Sequence, residues 1–492
     1  MYAVRATINP SGSIYFSGSG STWEQQAAAV QVRCVKDATV STSDEADAFF
    51  SEAIDLSENG TANTYIVNKS GVSYKFKATV KGNGKVQSIY SKRDKKDTSW
   101  SFVEGTAGAG QTSVTIAPTK SALLWYDSHF KNNYVKVCPI DVSSVQLKDG
   151  YIYFKTPTTF VDGNAVIAAY NEANEIVWSW QMWCCEGYDI EATKKLFGTT
   201  STGYVMDRNL GATMAEDAEY QTNSWNAAAA VGMYYQHGRK DPFTAPLDLS
   251  AGDGNRGGVG AAARDANGNI MYGGDNTAYI YIGNTQYVAK IKELLGKDSW
   301  KFNEAADLIT KYPHYKAQQG ANTASAGDSK RDWWGSRSHD NEFFYYWGHP
   351  YWQNWTNATQ KTIYDPCPAG WVVPSTDFLS TIKNGTITFG NYGWTVTPAD
   401  NSRDAVYFPL TGQRWGDNWN VGDVTTIGGY WTSNIGDNGC AAYIFYKGDQ
   451  GDGPGFYSTA VGGDTDGGTE GTKTIFWGVN GRAVRCVAEN YR

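Results

Sequence analysis

Between residues 412 and 446, tryptophan and tyrosine alternate with asparagine, aspartate, serine and glycine. That mixture suits non-covalent recognition better than bond making. Trp and Tyr supply large, stiff, amphipathic contact area, and the small polar residues supply adaptable hydrogen bonding. The candidate contact residues are Trp415, Asp417, Asn418, Trp419, Asn420, Tyr430, Asn434, Asp437, Asn438 and Tyr443. The competing reading places Trp415 and Trp431 in a small core and leaves the polar positions as plain loop.

Catalysis needs a nucleophile with its base, or paired carboxylates in a cleft. The five histidines, at 129, 237, 314, 339 and 349, fall in no His-Glu-x-x-His pattern, and no Gly-x-Ser-x-Gly elbow occurs. No enzyme is expected, and His237 reads as a packed or hydrogen-bonded loop residue. Asp449, Asp452, Asp464, Asp466 and Glu470 offer hard oxygen ligands for calcium. They lack EF-hand periodicity, and the Glu-Pro-Asn and Gln-Pro-Asp triplets of calcium-dependent lectins are absent. A solvated loop is the expectation, with no cofactor.

Seven cysteines stand at 34, 138, 184, 185, 367, 440 and 486, so at least one is unpaired. No two have metal-finger spacing, and the adjacent Cys184 and Cys185 suit neither a zinc knuckle nor a redox pair. Cys367 and Cys486 are expected to form a disulfide that closes a domain around the residues between them. The alternative is two buried free thiols side by side.

The elements that must position these residues read as sheet. The chain has 492 residues, 54 of them Gly, 32 Tyr and 19 Trp, with 14% aromatic and only 19% charged residues, which favours an all-β composition. At roughly 150 residues per domain the length predicts about three domains. Residues 1–40 alternate with period two, and residues 1–50 read as an N-terminal β module. Residues 51–183 carry short strand candidates, including Thr64 to Val67, Tyr74 to Val80, Tyr151 to Phe154, Asn164 to Tyr170 and Ile176 to Trp183, separated by Gly-bearing turns. That punctuation predicts a β-sandwich. Residues 184–492 read as α+β, with a Gly-rich insertion from Ala251 to Gly274 and helices near Tyr287 to Leu295 and Phe302 to Lys311.

Net charge is −8, without a long block of one sign, so neither nucleic acid nor an anionic membrane is an expected partner. No apolar stretch approaches the roughly 18 residues of a membrane span, and Met1 to Pro10 lacks the pattern of a secretory signal.

The segments Thr61 to Val67, Val80 to Gly84, Gly163 to Ala168, Trp178 to Trp183, Met206 to Ala212, Tyr234 to Phe243, Tyr364 to Trp371, Gly429 to Ser433 and Val484 to Val487 form an ordered set of motifs. Together they resemble fimbrillin-like surface proteins of Bacteroidetes that carry a C-terminal domain of the Fibrobacter succinogenes major paralogous type. The resemblance implies a mostly β protein: a β-sandwich followed by a C-type-lectin-like domain. It further implies surface binding, and kinship with the variable receptor-binding proteins of diversity-generating retroelements. The preferred expectation is a phage tail-fibre protein on the virion that binds a host cell-surface protein or glycan, as a homotrimer by analogy. The alternatives are a bacterial fimbrial-tip or surface adhesin and, more remotely, an enzyme of the formylglycine-generating type, whose active-site cysteine pair has no evident counterpart in this chain.

Overall fold

In the computed structural model, 39% of the described residues are strand and 9% helix, so the fold is mostly β. The structure describes residues 5–8, 14–17, 48–85, 90–93, 101–102, 113–128, 137–215, 224–248, 259–260, 263–272, 281–282, 285–286, 289–290, 302–315, 317–318, 342–344, 346–347, 361–375, 377–415, 421–436, 439–446, 455–458 and 480–491. The chain divides into two compact units, residues 1–48 and 49–492. In the first, Arg5–Ile8 pairs antiparallel with Ile14–Ser17, in the register that brings Ile8 opposite Ile14.

The second unit begins with two facing sheets. One runs Ile54–Asp55, Ser73–Lys77, Tyr151–Lys155, Asp141–Lys148. Its alternation is what period-two patterning predicts: Tyr74 and Phe76 point inward while Lys75 and Lys77 point out. The hairpin turn at Asp149-Gly150 has positive φ at both residues, 51° and 79°, matching the right-handed twist of the strands it joins.

The other sheet runs Ile270–Tyr272, Ala263–Arg264, Lys120–Ser128, Gly163–Tyr170, Ile176–Cys184, Thr64–Val67. Phe76 of the first sheet meets Trp180 of the second at 5.2 Å between ring centroids, and Tyr65 at 5.0 Å. The two strands at one edge of this sheet, Ala263–Arg264 and Ile270–Tyr272, come from residues beyond 260. The sheet of the expected 51–183 sandwich is therefore completed by later chain, and both regions share one compact unit.

Ile176–Cys184 departs from alternation, being buried on both faces over nearly its whole length. One face lies on the opposite sheet and the other on the C-terminal region. There the Trp183 indole donates to the Ala212 carbonyl at 2.9 Å, and the Asn164 amide donates to the Gly211 carbonyl at 3.0 Å. The same hydrophobic core continues across this seam, from Phe76 and Trp180 to Tyr235, Trp347, Trp431 and Cys486.

A second core fills the C-terminal region, built from Phe197, Phe378, Trp394, Phe408, Tyr430, Tyr443 and Phe445. Around it lie a three-stranded sheet (Thr386–Phe389, Gly393–Thr397, Val406–Pro409) and a larger sheet centred on Gly481–Ala483. The helix expected over Phe302 to Lys311 is present, spanning Phe302–Lys311. Of the one expected over Tyr287 to Leu295, only Ala289–Lys290 is described, and it pairs as strand with Ala317–Gln318; residues 287–288 and 291–295 lie outside the described residues.

Candidate recognition site

The expected cross-link is present: Cys367 and Cys486 form a disulfide with 6.1 Å between their Cα atoms. Both are fully buried. Each cysteine is flanked along the chain by a polar knot. Beside Cys367, the Lys361 ammonium donates to Asp365 Oδ1 at 3.0 Å and to the carbonyls of Cys367, Pro368 and Trp371. The Asp365 carboxylate in turn accepts the backbone N–H groups of Cys367 and Val373. Burial pushes the Asp365 carboxyl up and the Lys361 charge opposes it. Beside Cys486, the Arg485 guanidinium donates to Asn209 Oδ1, the Met206 carbonyl and the Tyr407 carbonyl. The segment Met206 to Leu210 is thereby fastened along the last strand, where Met206 N–H also donates to the Cys486 carbonyl.

Residues 234–241 form a third knot. Tyr234–Gln236 pairs with Gly481–Ala483, and Arg239 donates to the carbonyls of Tyr312, Pro313 and Tyr315 at the end of the Phe302–Lys311 helix. His237 places Nε2 3.0 Å from the Thr432 carbonyl, between the rings of Trp347 and Trp431. Burial lowers its pKa to about 3, so the imidazole is neutral and structural. Ser179 Oγ, Lys240 Nζ and Asp241 Oδ1 lie within 2.5–2.6 Å of one another. In a cleft such a serine, lysine and aspartate could do nucleophilic chemistry. All three are buried, with Lys240 beneath the Trp178 ring at 4.5 Å, so they secure the seam. Burial brings the Lys240 ammonium down to about 8, against the pull of Asp241. Sequence reading missed Lys240, Asp241, Lys361 and Asp365 as core charges, because polar neighbours such as Arg239, Gln360 and Thr362 gave no sign of burial.

On this frame the candidate contact residues separate. Tyr430 and Tyr443 are fully buried, face each other across adjacent strands and stack at 5.0 Å and 8°. The Tyr430 hydroxyl donates to the Pro409 carbonyl at 2.6 Å, so both the ring and its polar end are used internally. Asn434 is buried too. These three belong to the core and correct the expectation that they make external contacts. Trp431 is core, as the competing reading had it. Trp415 is half-buried, its indole against Gly422, where a Cβ would lie 2.3 Å from its Nε1. Asp417, Asn418, Trp419, Asn420, Asp437 and Asn438 lie outside the described residues, as do Asp449, Asp452, Asp464, Asp466 and Glu470.

The flanking strands show where the two connections start. Gln413–Arg414 runs antiparallel to Gly481–Ala483, with Arg414 opposite Gly481, whereas Ile427–Gly436 runs parallel to it, with Tyr430 opposite Ala483. They leave that strand in opposite directions. Trp415, which opens the 416–420 connection, and Gly436, which opens the 437–438 turn, therefore lie at opposite ends of the sheet, and the two stretches do not begin on one face. The first connection is anchored at its root: Gln413 donates to Asp423 at 2.7 Å, Asn480 donates to Gln413 at 3.1 Å, and Arg414 is held by Thr244.

Among the described residues no three His, Cys, Asp or Glu side chains gather as a metal-binding group, and no helix is long and apolar enough to cross a membrane. No family model, no curated protein and no solved structure matches this chain.

Proposed function

We propose that this chain is a receptor-recognition protein of the kind carried on a phage tail fibre, and that its contact surface is the connection from Trp415 through Asp417, Asn418, Trp419 and Asn420. What supports this reading is the root of that connection. Gln413, Arg414 and Asn480 are buried polar residues tied to one another or to Thr244 and Asp423, on a sheet joined to a disulfide-closed frame. A rigid root under a segment reading Gly-Asp-Asn-Trp-Asn limits the ordering cost of binding while leaving the segment free to vary. Tyr430, Asn434 and Tyr443 have no part in it. The chemistry is non-covalent contact, with Trp419 as the anchoring ring and its polar neighbours as hydrogen-bond partners.

The test is binding of the labelled protein to a panel of Bacteroidetes cells and a glycan array, with Trp419→Ala and Asn420→Ala compared to the parent. A loss of about tenfold or more with an unchanged melting temperature is expected for Trp419→Ala. Equal binding by both variants removes this connection as the contact surface.

A further inference from the structure

The outer face of the four-stranded sheet carries a charge opposite to that of the whole molecule. Lys75 and Lys77 project outward from Ser73–Lys77, Tyr151 and Lys155 from Tyr151–Lys155, and Gln146 and Lys148 from Asp141–Lys148, while Tyr153 on the same side is buried against Phe49 and Phe50. The register places them in rows. Lys77 and Lys148 flank Tyr151, and in the next row Lys75 and Gln146 flank Tyr153. Adjacent strands lie about 5 Å apart and alternate residues about 7 Å apart along a strand. The cations thus form a lattice, with Lys77 and Lys148 about 10 Å apart across a tyrosine ring.

Lys77, Lys148 and Lys155 are exposed and Lys75 is half-buried. Among the described residues none of the four ammonium groups is in an ion pair. Lys75 lies over the rings of Tyr151 and Tyr153 at 5.4 and 5.9 Å, and Lys148 lies 3.8 Å over the Phe50 ring. Against these four cations stand Asp55, opposite Lys75 on the edge strand and occupied by Ser57, Asp141, opposite Lys155 and occupied by Ser143, and Asp149 in the turn. A protein with 42 basic and 50 acidic residues has here a face where the basic ones prevail.

We propose that this face docks an acidic polysaccharide, an extended chain whose carboxylate or sulfate groups meet Lys75, Lys77, Lys148 and Lys155 while a sugar ring lies against Tyr151. The occupant follows from complementarity. A flat lattice of point cations with aromatic area between them matches a linear polymer carrying regularly spaced anions on saccharide rings. This inference does not depend on the contact surface proposed above, which lies on a different sheet. It gives the protein a second attachment point, able to hold it within an anionic capsule or matrix while the C-terminal connection meets its receptor.

Native electrophoresis through gels containing soluble polygalacturonate, with dextran gels as the neutral control, tests it on the full chain. The net charge of the protein opposes any association with a polyanion, so retardation has to come from a local face. Retardation in polygalacturonate and none in dextran is expected, abolished by about 0.5 M salt because exposed charges are screened beyond a few ångströms there. The triple variant Lys77→Gln, Lys148→Gln, Lys155→Gln changes only exposed side chains and is expected to weaken retention by about tenfold or more at unchanged melting temperature. Tyr151→Ala is expected to weaken it by a further severalfold at low salt, because the stacking surface between the cations is lost. The proposal fails if the parent is not retarded, if the triple variant is retarded like the parent, if dextran retards equally, or if only anionic lipid vesicles are bound.

Discussion

Asp127, next to last in the strand Lys120–Ser128, has its carboxylate buried, one oxygen accepting the Asn164 N–H at 2.8 Å. Burial pushes its pKa up from 3.8 to about 6, and the bonds from Asn164 only partly offset this. A carboxyl raised in the folded state stabilises fully below the unfolded value near 4, and this contribution is lost as pH rises through about 6. At neutral pH the ionised group therefore costs up to about 3 kcal/mol. His237 and His314, both brought down to about 3 by burial, act in the opposite sense. Their contribution is present above the unfolded value near 6.5 and fades as pH falls. Comparing Asp127→Asn with the parent cancels the histidines. The variant is expected to be more stable than the parent at pH 7.5 by about 1–3 kcal/mol, with the advantage shrinking towards pH 4.5, as read from urea midpoints. An advantage that stays constant across that range would show that Asp127 is not the titrating group. Single residues were also where sequence reading was weakest. Tyr430, Tyr443 and Trp419 look alike in composition, and only the Pro409 carbonyl and the stacked partner decide that the first two belong inside.

Strands with alternating residues and glycine turns were legible: Thr64–Val67 has the expected bounds, and Ser73–Lys77, Tyr151–Lys155 and Gly163–Tyr170 lie within a few residues of theirs. Helices as short as Ser224–Ala229 and Asp377–Asn384 were not, because a period of 3.6 needs a window longer than two turns to stand out. The most recognisable segments meet at the seam between the sandwich and the C-terminal frame. Asn63 donates to the carbonyls of Ile363 and Asp365 and accepts from the Trp178 indole. Thr64 donates to the Pro366 carbonyl, and Gly82, at φ +48°, leaves room for the Ile363 backbone, which a Cβ would meet at 2.3 Å. Strongly patterned residues marked the joint, and the less patterned connection after Arg414 is the proposed contact surface. Asn63→Ala would leave two carbonyls and an indole N–H buried without partners, and is expected to cost about 2–4 kcal/mol in urea unfolding. A loss below about 0.5 kcal/mol, normal for a surface site, would mean that the seam is wetter or looser than its hydrogen bonds imply.

For the whole molecule the seam and the disulfide act on the same equilibrium. One hydrophobic core runs from Phe76 through Trp180 to Trp431 and Cys486, so residues 51–183 have no separate interior to unfold around. Residues 49–492 are therefore expected to melt in one calorimetric transition, and two resolved transitions would restore an independent sandwich. The bond between Cys367 and Cys486 spans 119 residues of that unit. By loop-closure entropy it restrains the unfolded chain by about 4–5 kcal/mol, the largest single contribution that one covalent change could remove. Because Cys367 lies among seam residues and Cys486 on the last paired strands, losing the bond is expected to lower the whole transition without splitting it. The double variant Cys367→Ala, Cys486→Ala should bring the urea midpoint down by an amount equivalent to about 2–5 kcal/mol, with an unchanged slope if the unfolded state stays as expanded. A fall confined to the C-terminal sheets, seen as local loss of amide protection while the sandwich strands keep theirs, would mean that the cross-link fastens one part only. Loss of protection in Ile176–Cys184 together with Gly481–Ala483 is the outcome expected of a single platform.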